Sequence, residues 1–340
     1  MRSYVLSRLA SGAVIVFAIL VLNFVIVHMV PGDPLHALLG DFPVPPGYAE
    51  EVRAEFGLDK PIVAQLGFYL WNLAHGNLGF SFANRSPVLE LILARLGPTL
   101  LLMVPALCFA AVLGVVLGVA AAPRAGSMQD SALTALSLFG YSVPVFWLGQ
   151  MMLIVFAIHL GWLPAQGMKN MREDFHGLDA VWDVLKHLVL PGFSVMIFYI
   201  AIVARVARAS VGEALHNDYV LTAKAKGLSR HTILWKHVLP NAMIPVVTVI
   251  GYNFAQSLTG AILVETVFAW PGIGNLFITS ITNRDYPVLQ GIFLLTGVSV
   301  VAINIVTDLL YSALDPRVRT AHEREGPPRA RIAPPRGGRR

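Results

Sequence analysis

The stretch that decides the fold reads E-A-L-H-N-D-Y-V-L-T-A-K-A-K-G-L-S-R-H-T-I-L-W-K-H-V-L-P-N, residues 213–241, a mostly polar segment between long apolar runs. Its first part predicts a helix over residues 214–225, which Gly227 stops because glycine adopts the left-handed conformation at little cost. On that helix Tyr219, Ala223 and Gly227 recur every four residues. We therefore expect one face, with a tyrosine and two small residues, that the backbone of another protein can approach closely.

The second part of the stretch predicts another helix. Ser229 follows the glycine and is a favourable N-cap residue. The helix is expected from about residue 230 to residue 237, and to end before Pro240, because proline disfavours helical geometry in the residue that precedes it. The whole stretch therefore predicts a helical hairpin.

The composition of the chain is that of an integral membrane protein. Of its 340 residues 56% are hydrophobic and 13% are charged, against about 25% charged in soluble domains, and the mean hydropathy is +0.65. The single cysteine, Cys108, excludes an intrachain disulfide and a cysteine-based metal site.

Apolar runs predict an all-α fold with six transmembrane helices, since about 20 helical residues cross the hydrocarbon core of a bilayer. The predicted spans are residues 10–30, 98–122, 133–160, 187–204, 244–269 and 288–310. We accordingly divide the chain into residues 1–30 with the first helix, a long extracytoplasmic loop at 31–97, a core domain at 98–315 containing a cytoplasmic loop at 210–241, and a tail at 316–340.

The distribution of positive charge predicts the orientation in the membrane. With six spans, both termini and the hairpin share one side, which carries 17 of the 25 lysines and arginines, and the other side carries 8. Cytoplasmic segments are enriched in lysine and arginine, so the hairpin and both termini are predicted to be cytoplasmic. The basic tail is expected to be disordered and solvated, with contact to anionic membrane lipid as the alternative.

Motifs for catalysis and nucleotide binding are missing from the sequence. It contains no G-x-x-x-x-G-K-[ST] phosphate loop, no H-E-x-x-H and no G-x-S-x-G. We therefore expect no catalytic residues, no metal site and no cofactor bound by this chain. Nucleic-acid binding is not expected either, because the hairpin is tethered at both ends to membrane spans.

Polar residues inside the fifth span suggest a path for a solute. Asn253, Gln256 and Gly260 follow a spacing of i, i+3 and i+7, which places them near one helix face. Hydrogen bonding that only holds the helices together is an equally open interpretation. Glu265 and Asp308 lie near span ends, where carboxylates reach water or headgroups, and are expected to have interfacial or structural roles.

The hairpin resembles the cytoplasmic EAA loop of ABC importer permeases, whose pattern is E-A-A, then glycine, nine residues and I-x-L-P. Gly227, the pair Leu239-Pro240 and Ala223 match that pattern. Leu221 and His237 depart from it, at the positions of the glutamate and the isoleucine.

Further motifs are similar to the B-type permeases of the dipeptide, oligopeptide and nickel branch of that family, and together they cover about residues 1 to 320. They include H-M-V-P-G-D-P at 28–34, H-G-N-L-G at 75–79, Y-S-V-P-V-F-W at 141–147, G-A-I-L-V-E-T-V-F-A-W-P-G-I-G at 260–274 and R-D-Y-P at 284–287.

The resemblance implies a type I importer permease fold and a pore-forming subunit in the bacterial inner membrane. Its expected partners are a second homologous permease in a heterodimer, two ATP-binding subunits that use ATP and magnesium, and an extracytoplasmic solute-binding protein. Dipeptides, oligopeptides, glutathione and chelated nickel are all compatible solutes. The residues expected to couple the chain to the ATPase are Tyr219, Ala223, Lys224, Lys226, Gly227, Leu239 and Pro240.

The loops at 31–96 and 270–287 are expected to dock the loaded binding protein, with a lid that only seals the bundle as the alternative. The expected contact residues are Trp270, Pro271, Gly272, Asn283, Arg284 and Asp285. The alternative function for the whole chain is a stand-alone secondary transporter or channel. That alternative calls for coupling-ion sites at the bilayer midplane, and no carboxylate stands in the middle of a predicted span.

Overall fold

The computed structural model describes residues 2–29, Leu35, Leu39 and residues 45–314. The predicted tail at 316–340 and much of the loop at 31–44 lie outside these residues. In chain order the described elements are α1 (Arg2–Met29), α2 (Tyr48–Phe56), α3 (Ile62–Ala74), β1 (Phe80–Ser81), β2 (Ser86–Pro87), α4 (Val88–Ala121), α5 (Met128–Ser142), α6 (Val145–Met152), α7 (Leu178–Ala214), α8 (Asp218–Ala225), α9 (Arg230–Thr232), α10 (Leu239–Val267), α11 (Ile273–Thr282) and α12 (Tyr286–Leu314).

Long apolar helices dominate the described part of the chain. Five of them are long and apolar enough to cross a membrane: they include α1, α4, α7 and α12, and the run from Arg230 into α10. The pair α5 and α6, the second extended by a π-helical segment at Leu153–His159, makes a sixth span if the bent pair crosses as one unit. The predicted all-α membrane architecture is therefore confirmed.

The third predicted span is not one continuous helix. Its two halves meet at an angle of 95°. At the junction Val143 is extended, and Pro144 precedes the first residue of α6. Because a proline pushes the residue before it out of the helical region, α5 ends at this dipeptide and the chain changes direction.

Close packing of α4 against α7 forms the centre of the bundle. A Cβ atom on Gly114 would overlap Val203, and one on Gly118 would overlap Ala207 and the backbone of Ala204, so the two glycines let the helices approach closely. The buried apolar cluster around this contact contains Leu102, Met103, Ala106, Leu107, Ala110, Met152, Leu190, Val195, Tyr199, Val264, Phe268 and Trp270.

The bundle has two ends, which we name by the segments they carry. The hairpin end holds residues 215–238 between α7 and α10, and the ion pair Arg8–Asp308 at 3.3 Å joins α1 to α12 near it. The turn end holds residues 268–287, the β1–β2 hairpin, the C-terminal end of α1 and the N-terminal end of α4. Here Ser81 of β1 donates a hydrogen bond to Asp285 at 2.5 Å.

Candidate functional site

The hairpin begins with a break that the sequence pattern did not predict. α7 continues to Ala214, residues 215–217 form a turn, and α8 starts at Asp218. Asn217 has an extended backbone, with φ −74° and ψ 151°. A single helix over residues 214–225 was therefore the wrong prediction, because the chain needs this turn to leave the axis of α7 and lay α8 against the bundle.

The glycine and serine signals of the hairpin are confirmed. Gly227 has a φ of +76°, in the left-handed region. The Ser229 hydroxyl then accepts a hydrogen bond from the backbone N–H of Thr232 at 3.2 Å, which satisfies one of the open donors of the next helix.

The second helix of the hairpin does not end before Pro240. Its α-helical turn passes into a π-helical segment at Ile233–Val238, and α10 follows at once, with the proline in its first turn. Proline is tolerated there because the wider π-helical turn that precedes it does not require its missing N–H. The hairpin is consequently joined to the fifth span by unbroken helix from Arg230 to Val267.

The hairpin has a buried underside and an exposed outer face. Ala223 is 5% exposed and packs inside its own chain, so its predicted place on an open contact face is wrong. The cluster beneath the hairpin contains Ala122, Val211, Ala214, Val220, Ala223, Ile233, Val238 and Ala242. The other predicted coupling residues are exposed or, for the leucine, half-buried: Tyr219, Lys224, Lys226, Gly227, Leu239 and Pro240.

The polar residues of α10 open to different spaces. Asn253 is buried beside Tyr199 and Phe254 in a small cavity, and its Nδ2 finds no hydrogen-bond partner among the described residues. Gln256 lies on the exposed side, where its Nε2 donates to the Tyr252 phenol at 3.1 Å. The surroundings of Gly260 lie outside the described structure. Asn253 and Gln256 therefore do not line one common space within this chain.

A buried carboxylate organises the turn end. Glu265 in α10 is 0% exposed. Its Oε2 accepts hydrogen bonds from the backbone N–H groups of Gly274 at 2.7 Å and Asn275 at 3.1 Å, in the first turn of α11. Its Oε1 accepts from the Thr99 hydroxyl of α4 at 2.6 Å. Of the two roles expected for this carboxylate, interfacial or structural, the structural one is confirmed, because groups of the protein satisfy it rather than water or headgroups.

The chain around this carboxylate, residues 268–275, is called the Glu265 turn. A Cβ on Gly272 would overlap the carboxylate, and one on Gly274 would overlap the backbone of Ile262. The indole N–H of Trp270 donates to the carbonyl of Pro98 at 2.9 Å. Two glycines and one tryptophan thus fit this segment tightly between α4 and α10.

Comparison with protein families assigns the chain to a family of transport proteins. Residues 114–320 match the model for the binding-protein-dependent transport system inner membrane component, and residues 1–103 match the model for the N-terminal part of such membrane components. The chain belongs to this family. It is the pore-forming permease subunit of an ABC importer, a multi-pass protein of the inner membrane, and family members work with an ATPase and a binding protein. This assignment excludes the alternative of a stand-alone carrier or channel.

Individual relatives align with nearly the whole permease. The dipeptide transport system permease protein DppB of Escherichia coli (strain K12) is 39% identical over 336 residues, covering 94% of this chain and 99% of the relative. The di/tripeptide transport system permease protein DppB of Pseudomonas aeruginosa (strain UCBPP-PA14) is 38% identical over 338 residues, covering 95% and 100%. An inward-facing structure of the MetNI methionine ABC transporter shares the fold, with a TM-score of 0.52, 18% identity, and coverage of 66% of this chain and 97% of that one.

The residues expected to contact a binding protein divide into two groups in the permease. Trp270 and Gly272 are buried in the Glu265 turn, and Asp285 is buried where Asn84 and Ser81 donate to its carboxylate. These three cannot present an open surface. The others remain candidates, since Pro271 is half-buried and Asn283 and Arg284 are exposed.

Sequence reasoning missed the ion pair near the hairpin end of the permease. Arg208 of α7 binds both carboxylate oxygens of Asp130, Nη2 at 2.6 Å and Nε at the second oxygen, and Asp130 also accepts from the N–H of Gly126 at 2.9 Å. The pair joins α5 to α7. The available signal was Ser127, which caps α5 three residues before the carboxylate, but no sequence pattern links it to an arginine 78 positions away.

Proposed function

We propose that this permease pairs with a second, homologous permease, two ATP-binding subunits and an extracytoplasmic solute-binding protein, and imports dipeptides, oligopeptides or a similar small solute. The named relatives support the solute class, since those from Escherichia coli and Pseudomonas aeruginosa are dipeptide and di/tripeptide permeases that align over nearly their full length. In this proposal the ATPase subunits use ATP and magnesium. The permease itself binds no cofactor and carries out no catalysis.

The proposed orientation places the hairpin end and both termini in the cytoplasm. The charge distribution supports it, with 17 of the 25 lysines and arginines on that side. The binding protein then meets the turn end, where Asn283 and Arg284 are exposed.

One structural observation carries the coupling mechanism, namely that an exposed hairpin continues without a break into the fifth span. The exposed side of the hairpin carries Tyr219, Lys224 and Lys226, and its underside is fixed to α7 by a buried apolar cluster. A push on the hairpin therefore moves α7 and α10 together rather than bending a loop. In our account, closure of the ATPase dimer displaces this unit and shifts the population between two packed states of the bundle.

The solute path in this proposal lies between the two permeases. The exposed side of α10 carries Gln256 and Tyr252, joined by their hydrogen bond, and offers polar groups to a passing peptide. Asn253 faces inward, and we assign it to helix packing rather than to the path.

Reconstitution tests the proposed function. The chain is expressed with the products of its neighbouring genes, purified by a tag and placed in proteoliposomes. We expect a second permease and ATPase subunits to co-purify, and a labelled dipeptide to accumulate only with ATP and the binding protein. Accumulation driven by a proton or sodium gradient without ATP would overturn the proposal.

A further inference from the structure

The helix α3 at the turn end has an unusual distribution of polar groups. Its sequence, I-V-A-Q-L-G-F-Y-L-W-N-L-A, contains no charged residue. Gln65, Tyr69 and Asn72 are its polar side chains, and all three make hydrogen bonds within the protein. The helix therefore turns its polar side inward and leaves an apolar side outward, which is the reverse of a helix on a water-exposed surface.

The inward side of α3 attaches to the last two turns of α1. Asn23 donates to the Tyr69 phenol at 3.1 Å, and His28 Nε2 lies 2.8 Å from Gln65 Oε1. Burial raises the pKa of the Tyr69 phenol, so the group stays protonated. Asn23 lies within the span Val5–Ile26, about 9 Å before the end of α1 at a helical rise of 1.5 Å per residue. This contact places α3 beside the membrane-spanning part of α1.

The outward side of α3 is apolar and open. Ile62 is 58% exposed, Val63 78% and Trp71 65%. Gly67 lies between the last two on the same face. The adjoining turns of α1 also carry exposed apolar residues: Leu22, Val25 and Ile26. Since α1 spans the membrane and α3 is bonded to it through Asn23 and His28, apolar surface of both helices is open at the same end of the bundle.

The two ends of α3 carry the groups that prefer the headgroup layer. Lys60 precedes the helix, with its ammonium 4.5 Å from the centre of the Phe68 ring. His75 follows it, 4.3 Å from Trp71 between ring centroids. A cation at one end and a tryptophan with a histidine at the other are expected of a helix that lies in the plane of the interface.

We propose that α3 is an interfacial helix whose face of Val63, Gly67 and Trp71 lies in the lipid bilayer, at the boundary between acyl chains and headgroups of the leaflet at the turn end. An immersion of about 5 to 10 Å, typical of such helices, agrees with the position of the contact to Asn23. The helix then anchors residues 45–87 to the membrane surface, and with them the β1–β2 hairpin that holds Asp285.

Collision accessibility of a spin label tests this proposal. Cys108, the only cysteine, is replaced by serine, and single labels are placed at Val63→Cys and Gly67→Cys in the full chain in phosphatidylethanolamine and phosphatidylglycerol vesicles. Gly67 is a suitable second position because a Cβ there meets no described atom within 4 Å. The control is Glu51→Cys, an exposed position on the polar helix α2.

We expect oxygen, which concentrates in lipid, to relax the labels at 63 and 67 more than a water-soluble nickel chelate does, and the reverse at 51. Nickel collisions at 63 and 67 as frequent as those at 51 would place α3 in water and overturn the proposal. Exclusion of both reagents from 63 and 67 would also overturn it, because the face would then be covered by protein.

Discussion

The Glu265 turn and the hairpin both interrupt apolar helix with glycine and polar residues, yet their environments are opposite. In the turn, Gly272 and Gly274 have no room for a Cβ, and the carboxylate of Glu265 is completely buried. In the hairpin, a Cβ on Gly227 meets no described atom within 4 Å, and Lys224 and Lys226 are exposed. The turn is satisfied by its own chain, whereas the hairpin leaves its polar side open for a partner.

This difference assigns different roles to the two ends of α10. The Glu265 turn joins α4, α10 and α11 through hydrogen bonds to one carboxylate, so it resists relative motion of those helices. The hairpin joins α7 to α10 through apolar contacts on one side only. Substitutions in the turn should therefore lower the stability of the fold, and those on the hairpin surface should affect transport while the fold stays intact.

The largest loss of stability is expected for Glu265→Leu. The substitution leaves the N–H groups of Gly274 and Asn275 without their buried acceptor, at about 1 to 3 kcal/mol for each unsatisfied group. It also removes the hydrogen bond from the Thr99 hydroxyl. We expect a large fall in the melting temperature of the purified protein, measured by size-exclusion chromatography after heating. Glu265→Gln keeps one acceptor oxygen, so its melting temperature should lie between those of the wild type and the leucine variant. A wild-type melting temperature for the leucine variant would refute the role of the carboxylate.

A smaller loss is expected for Gly274→Ala. The new Cβ overlaps the backbone of Ile262, and overpacking of this kind costs about 1 to 3 kcal/mol. Gly212→Ala is the matched control, since it lies inside α7 and no described atom lies within 4 Å of its new Cβ. Alanine is more favourable than glycine in a helix interior by about 1 kcal/mol, so this variant should not lose stability. Equal melting temperatures for the two variants would show that the turn is loosely packed.

Removal of the hairpin cap should have a weaker effect. Ser229→Ala loses the hydrogen bond to the N–H of Thr232, which costs about 1 kcal/mol at an exposed N-cap. We expect faster amide hydrogen exchange in residues 230–238, with little change in the global melting temperature. Ser229→Asp, which restores an acceptor, should return the exchange to the wild-type rate.

Charge reversal on the hairpin should affect stability least. Exposed substitutions away from buried contacts usually change stability by less than about 0.5 kcal/mol, so Lys224→Glu with Lys226→Glu should melt like the wild type. We expect ATP-driven uptake in proteoliposomes to fall strongly because the surface offered to the ATPase reverses its charge. Glu213→Lys, an exposed position at the end of α7, tests whether any charge change near the hairpin has this effect.

Sequence reasoning located the helices well but not their breaks. The spans could be predicted because apolar composition alone decides burial in lipid. The bend at Val143 and Pro144 could not, since a proline inside an apolar run also fits a kinked continuous helix. The π-helical segment at Ile233–Val238, which carries the chain past Pro240, has no sequence signal that we recognise.

The site was predicted in part for a similar reason. The spacing of Tyr219 and Ala223 places them near one face, but only the packing of α8 on Val211 shows that Ala223 lies underneath. The sequence W-P-G-I-G favours an exposed turn. In the structure it is buried, because the Glu265 carboxylate accepts hydrogen bonds from the backbone that follows Gly272. Burial of a polar group depends on partners far apart in the chain, as for Thr99 and Glu265, which are 166 positions apart.

The coupling role of the hairpin is tested most directly by comparing ATP-driven uptake of a labelled dipeptide in Gly227→Trp and Gly227→Ala. Both substitutions place a Cβ at a positive φ and share the backbone strain, so the comparison isolates the bulk that tryptophan adds on the contact surface. Our account predicts that the tryptophan variant inserts and melts like the alanine variant but loses uptake, while the alanine variant retains it. Wild-type uptake by the tryptophan variant would contradict the account.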